Sequence, residues 1–230
     1  MVAQYVSHRY TLARERDKAR LAAYQELFAP IVAEVCAYID SFMCPVGDAV
    51  KERYFRERHE VEETVSSHIW RNVGHAKSEL LRVALLQVQD AYHTDFVGEV
   101  EANKRLRLFH AFMVEYYETV RRIYPRHNLG SLLQYRFRYR LWSVLASVVW
   151  HSDGAVWDLM TNLQGFSDAT SLKWVLAFER ATEEFLDCSP SMRPSAWRYL
   201  DRTVFQRNST LKALADKYCT ELNLLAESRK

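Results

Sequence analysis

The chain has 230 residues, 49% of them hydrophobic and 26% charged, a globular composition that excludes disordered and collagen-like classes. Its 6 glycines and 5 prolines are under half of the roughly 12% of average usage, which argues against an all-β sandwich or barrel, because those folds need many turns. A formal charge of +2 is too small to demand nucleic acid or an anionic membrane by itself, so charge has to be read locally.

From Tyr10 to Met43 apolar residues recur at helical spacing, with Leu21, Tyr24, Phe28, Ile31 or Val32, Val35, Ile39 and Phe42 on one stripe, predicting one long helix. Pro30 removes a backbone donor, so a kink or short break is expected between Leu27 and Ile31. The segment Cys44-Pro45-Val46-Gly47-Asp48 ends that helix, and Asp48 can cap the next. A second helix over about Ala49 to Trp70 has a weak apolar stripe and a polar run from Arg56 to Glu60, so it is expected across the bundle surface. Asn72-Val73-Gly74 is a turn. A third helix follows over Leu80 to Tyr92 and a fourth over Glu99 to Tyr124.

Pro125-Arg126-His127-Asn128-Leu129-Gly130 holds two breakers and is the clearest boundary. Beyond it Leu133, Phe137, Leu141, Val144 or Leu145 and Val148 predict a helix over Ser131 to Trp150. Further helices are expected around Ala155 to Leu163, Thr170 to Asp187, Ser195 to Gln206 and Ser209 to Glu227. The sum is an all-α bundle of seven to nine helices with a long, Pro30-kinked first helix. It is read as one domain over residues 1–230, the alternative being two lobes, 1–124 and 131–230.

Four cysteines, Cys36, Cys44, Cys188 and Cys219, form no CxxC pair and are expected to be reduced thiols. The first residues show no charged region followed by an apolar stretch, so no secretory signal is read and a cytoplasmic location is expected. The most apolar run, Leu141 to Trp150, spans about ten residues against the roughly 20 that a membrane helix needs. It is read as a buried core helix, and no membrane contact is expected.

Glycine-rich phosphate loops, Gly-x-Ser-x-Gly and a Cys in an electropositive turn are all missing, and no cofactor is expected. A carboxylate-bridged metal site would want Glu-x-x-His on two helices. No His here has Glu three residues before it, and Asp90 with His93, or His59 with Glu62 or Glu63, leaves the set incomplete. The stretch Ser209 to Cys219 has the look of the first helix of a helix-turn-helix, but that motif needs a turn next, and Thr220 to Glu227 continues the same periodicity.

The strongest local signal is electrostatic. Between Glu118 and Asp153 there is no acidic residue, while Arg121, Arg122, Arg126, Arg136, Arg138 and Arg140 all fall inside. Arg136 and Arg140 are i,i+4 neighbours and share a helix face; with Arg126 and His127 in the adjoining loop they can grip a phosphate backbone or an acidic protein surface. Tyr135 and Tyr139 offer stacking surfaces for unpaired bases. The opposing structural reading gives Arg121 and Arg122 to the negative end of the fourth helix and pairs the rest with Glu57, Glu60, Glu62 and Glu63. Arg138 points about 200° away from Arg136 and breaks the stripe.

Helical nucleases of the HEPN type use an Arg followed, after four to six residues, by a His. That spacing occurs as Arg53 to His59, Arg105 to His110, Arg121 to His127 and Arg122 to His127. With 23 Arg and 8 His in the chain such a count is near chance, and no family is assigned. Two functions are therefore carried forward. The first is a non-catalytic interaction subunit or adaptor that meets a protein partner through the Arg-rich corner and exposed aromatics, a homo-oligomer being compatible with it. The second is an RNA binder or metal-independent ribonuclease, with Arg121, Arg122 and Arg126 holding phosphate, His127 moving protons and Tyr135 stacking.

Overall fold

A computed structural model describes residues 2–43, 48–93, 102–148 and 172–187. These form seven α-helices and no strand: α1 (Val2–Ala22), α2 (Val32–Met43), α3 (Asp48–Asn72), α4 (Glu79–His93), α5 (Ala102–Ile123), α6 (Gly130–Val148) and α7 (Leu172–Asp187). The helices expected around 155–163, 195–206 and 209–227, with Cys44, Cys188, Cys219 and the helix-turn-helix-like stretch, lie outside the described residues.

The first helix begins at Val2 rather than Tyr10, and it is interrupted where Pro30 stands. Ala23–Phe28 is a single π-helical segment, closed by the Ala29 N–H donating to the Tyr24 carbonyl at 2.8 Å. Because Pro30 has no N–H, it cannot bond the Glu26 carbonyl one turn back. That carbonyl instead accepts from His68 Nε2 of α3 at 3.0 Å, so the break is satisfied from a neighbouring helix.

Helix α5 is the spine of the bundle. Leu106, Leu108, Phe109, Ala111, Phe112 and Met113 are all buried, which a helix achieves only when neighbours cover several of its sides. Phe28 meets Phe112 edge-on at 5.1 Å, Tyr38 meets Phe109 at 5.0 Å, and Phe109 meets Tyr139 of α6 at 5.7 Å. Helices α5 and α6 form the most extensive contact among the described elements, and Phe137 of α6 packs on Phe178 of α7 at 5.2 Å. One cluster of buried residues contains side chains from both sides of the Pro125–Gly130 turn.

Polar groups inside this core fix the helix positions. The buried Glu115 of α5 accepts the Lys77 N–H at 2.6 Å and the Ser78 N–H at 3.1 Å, and Ser78 Oγ accepts the Leu81 N–H at 3.3 Å. Donors that the start of α4 leaves unpaired are thereby satisfied by one carboxylate and one hydroxyl. Glu62 of α3 likewise accepts Tyr38 Oη at 2.5 Å and lies 3.3 Å from Arg105 Nε. No described helix is long and apolar enough to cross a membrane.

Candidate functional site

The Arg-rich corner divides in two. Its first part is the end of α5 and the turn after it. Arg121 and Arg122 lie in the last helical turn, where a positive charge complements the exposed carbonyls and the helix dipole. Arg121 Nη2 lies 2.7 Å from Glu118 Oε2, a partly exposed i,i+3 pair. Arg122, Arg126 and His127 are exposed, and no ion pair to them is seen among the described residues. Tyr124, 39% exposed, is fixed by its ring contacts to His127 at 5.2 Å and to Tyr24 at 6.3 Å. The turn is also held by backbone: His127 N–H donates to the Tyr124 carbonyl at 3.2 Å, and Asn128 Oδ1 accepts the Gly130 N–H at 2.9 Å. The surface at this end is therefore basic, aromatic and locally braced.

The second part, on α6, faces inward. Arg136 is 1% exposed and grips Glu179 of α7 with two bonds, Nε to Oε1 at 3.1 Å and Nη2 to Oε2 at 2.6 Å. This fork-on-fork geometry is the strongest form of an Arg–carboxylate pair. The guanidinium carbon lies 5.0 Å from the centre of the Tyr117 ring, a cation–π contact, and the buried Arg136 Nη1 makes no hydrogen bond among the described residues. Arg140 donates from Nε to Thr182 Oγ1 at 2.5 Å and from Nη2 to the Glu179 carbonyl at 2.6 Å. The i,i+4 face expected from the sequence is real, but α7 covers it.

The remaining α6 residues turn toward α2. Tyr135 Oη donates to Asp40 Oδ2 at 2.5 Å, Arg138 Nη1 donates to Asp40 Oδ1 at 3.0 Å, and the Arg138 guanidinium stacks over Tyr135 at 5.5 Å. Tyr139 is buried and donates to the Val35 carbonyl. Neither ring is therefore free as a platform for a base. Among the described residues, Arg136 and Arg140 meet Glu179 and Arg138 meets Asp40, while Glu62 faces Arg105; the side chain of Glu57 lies outside the described residues.

His110 completes the inward cluster, with Nε2 3.0 Å from Glu179 Oε1. Burial pushes its pKa down to about 4, against the opposing pull of Glu179. At neutral pH the ring is uncharged and gives Glu179 a hydrogen bond. Burial alone would raise the Glu179 carboxyl, yet the bonds from His110 and Arg136 and the Arg136 charge hold it at about 2. A His beside a carboxylate is a familiar arrangement for proton transfer, but this His is 3% exposed and its carboxylate is occupied by an arginine. The arrangement joins three helices.

The spaced Arg–His pairs do not converge within the core. Arg105 points to Glu62 on α3 while His110 points to Glu179 on α7, as positions five apart on a helix must. Arg121 and Arg122 precede His127 on the exposed turn; the side chains of Arg53 and His59 lie outside the described residues. Trp142 is buried and Trp70 is 49% exposed. Cys36, half-buried, is a free thiol whose pKa burial raises to about 11, which keeps it in the unreactive thiol form. No group of three or more metal-ligating side chains gathers among the described residues.

Sequence reasoning missed Glu179. It stands on the buried stripe of α7 with Val175, Phe178, Thr182 and Leu186, and a carboxylate on an apolar stripe is a sign of a buried cation opposite. The fold is that of an all-α, multi-helix protein. Comparison with protein-family models, with curated proteins and with solved structures finds no match.

Proposed function

We propose that this chain is a non-catalytic interaction subunit that meets an acidic surface of a protein partner through the exposed α5–α6 turn, with Arg121, Arg122, Tyr124, Arg126 and His127 as the contact residues. The observation that carries this reading is the division of the corner. Arg136, Arg138, Arg140, Tyr135 and Tyr139 are spent on internal bonds, and so is His110. The turn keeps exposed arginines and a braced tyrosine, and Arg and Tyr are the residue types that dominate binding energy at protein interfaces. Because the turn is held in place beforehand, little ordering is needed on contact.

RNA held by the same turn is the competing reading, and it has lost Tyr135 and Tyr139 as stacking partners. The test is the double variant R122E/R126E, both positions being exposed so that the fold is retained. Under the proposal the variant loses a specific protein partner whose contacting segment, located by cross-linking from position 124, is acidic. An identical partner set for variant and wild type sinks the assignment to the turn. Salt-sensitive binding of single-stranded RNA that the variant abolishes replaces it with the RNA reading.

A further inference from the structure

Three cations from three separate elements meet at the end of α5. Phe28 packs edge-on against Phe112 at 5.1 Å and Tyr24 stacks on Tyr116 at 6.3 Å, so the chain before Pro30 runs antiparallel to α5, a turn back on one matching a turn forward on the other. Tyr24 also meets Tyr124 at 6.3 Å, which fixes that alignment. One further turn back from Tyr24 stands Arg20 in the last turn of α1, level with the last turn of α5, where Arg122 is. The third cation comes from the link into α4. Glu115 accepts the Lys77 N–H at 2.6 Å, and Arg122, about 700° farther around the helix, returns to the same side of α5 about 10 Å along. Lys77 therefore starts beneath Arg122 on that side, and both Arg20 and Arg122 act on its charge.

The group stands on pinned backbone. Arg82 Nη2 donates to the Ala76 carbonyl at 2.6 Å and Glu115 holds the N–H groups of Lys77 and Ser78, so the peptide on each side of Lys77 is fixed, while Arg20 and Arg122 project from helices. The two acids that act on Lys77 do not fill the space between the cations. Glu115 is buried and committed to those two N–H groups. Asp17 lies 2.7 Å from Arg20, but its side chain is 71% exposed, and such an i,i+3 pair is weak. Neither Lys77 nor Arg122 makes an ion pair among the described residues. The crowding registers on Lys77: burial first, then the charges of Arg20 and Arg122, hold its ammonium below the usual lysine range against the pull of Glu115 and Asp17. Cations held together against their own repulsion are stabilised by an anion placed among them.

We infer that Arg20, Lys77 and Arg122 form a binding site for a phosphate monoester dianion. The choice of ligand follows from charge and shape. With Arg20 partly offset by Asp17, the charges of Lys77 and Arg122 stay unmatched, and a phosphate monoester carries about 1.5 to 2 negative charges at neutral pH, where a carboxylate carries one. Its three free oxygens point apart, so groups arriving from three elements can each take one, whereas the two oxygens of a carboxylate lie in one plane and suit a single fork. Lysine supplies a point charge and the arginines supply directed N–H donors. A nucleic-acid backbone is met by cations strung along it; these three gather round one amine. The chemistry is the same whether the phosphate sits on a small free ester or on a protein side chain. The site shares Arg122 with the α5–α6 turn but lies toward α1 and α4, and it does not rest on the protein-partner reading.

The test reads the Lys77 amine directly. The full chain is labelled at neutral pH with a trace of acetic anhydride across a concentration series of inorganic phosphate, with chloride at matched ionic strength as control. Acetylation of Lys77 is followed by mass spectrometry against that of Lys18, an exposed lysine paired with Glu15. Bound phosphate covers the amine and raises its pKa, and each unit of rise leaves about tenfold less neutral amine, so labelling of Lys77 should slow about tenfold relative to Lys18. R20Q/R122Q, at helix positions that glutamine suits, should lose this protection, and R126Q, on the turn but outside the trio, should keep it. A phosphoserine peptide of otherwise neutral sequence that protects at far lower concentration than phosphate places the group on a protein side chain; equal or weaker protection places it on a small free ester. Unchanged labelling of Lys77 overturns the inference, as does equal slowing by chloride, which means screening alone. Protection that survives in R20Q/R122Q, or that is lost in R126Q, overturns it too. A partner lost in R122E/R126E while phosphate leaves wild-type Lys77 unprotected sinks the trio and leaves the turn standing.

Discussion

Helices α1 and α6 are both rich in arginine and use it in opposite ways. The partners of the α6 arginines lie far along the chain, Glu179 being 43 residues from Arg136 and Asp40 being 98 from Arg138. The acids paired on α1 lie three residues from their cations. A buried guanidinium has been taken out of water, so losing its carboxylate leaves an uncompensated charge and is costly. An exposed one keeps its hydration, gains little from its pair, and stays available to something outside the molecule. Arginine content therefore says nothing about binding until burial is known.

The largest break in this contrast comes from removing Glu179. E179A leaves Arg136 and His110 buried without their acceptor and should cost about 3–5 kcal/mol in urea denaturation, whereas the double change R136M/E179L should recover most of that loss, because a buried pair replaced by apolar side chains of similar volume is often neutral. Next is E115Q, which keeps the shape of the carboxylate but removes its charge at the start of α4; a loss of about 1–2 kcal/mol is expected from the same measurement. At the other extreme, R121A breaks only a partly exposed pair with Glu118 and should shift stability by less than about 0.5 kcal/mol.

Acid sharpens the comparison without mutation. The folded state holds His110 at about 4 against an ordinary 6.5, so as pH falls below 6.5 the unfolded chain takes up a proton that the folded chain refuses. Stability present above pH 6.5 is lost progressively down to about pH 4. Glu179, held at about 2 against 4.5, adds a second loss as pH falls from 4.5 toward 2. In denaturation series across this range, H110Q should flatten the upper limb and leave the lower one. A variant retaining the upper limb would show that another group sets it.

Several elements were legible because burial leaves a period in the sequence. The ranges expected for α3, α4, α5, α6 and α7 fall within about three residues of those observed, inside the usual boundary error. The start of α1 was not legible for the same reason: Ser7 to Ala19 bury nothing, so they carry no stripe to read. That Arg136 and Arg140 share a face follows from i,i+4 spacing, but that the face turns inward, and what stands opposite it, does not. The stretch from 119 to 152 has no acid of its own and so reads as surplus charge in any local window. Glu179 and Asp40 supply the balance through tertiary packing, which no local window contains.

The Glu179 clamp also orders events in time. Its donors, His110, Arg136 and Arg140, sit on α5 and α6, two helices joined by a short turn whose contacts are close in sequence and so form early. The face that receives α7 exists only once that hairpin has closed. Helix α7 is thus a late arrival, and interactions absent from the folding transition state act chiefly on the rate of leaving the native state. Stopped-flow measurements on E179A should find unfolding accelerated and folding nearly unchanged, which makes one carboxylate a brake on how quickly the native chain comes apart.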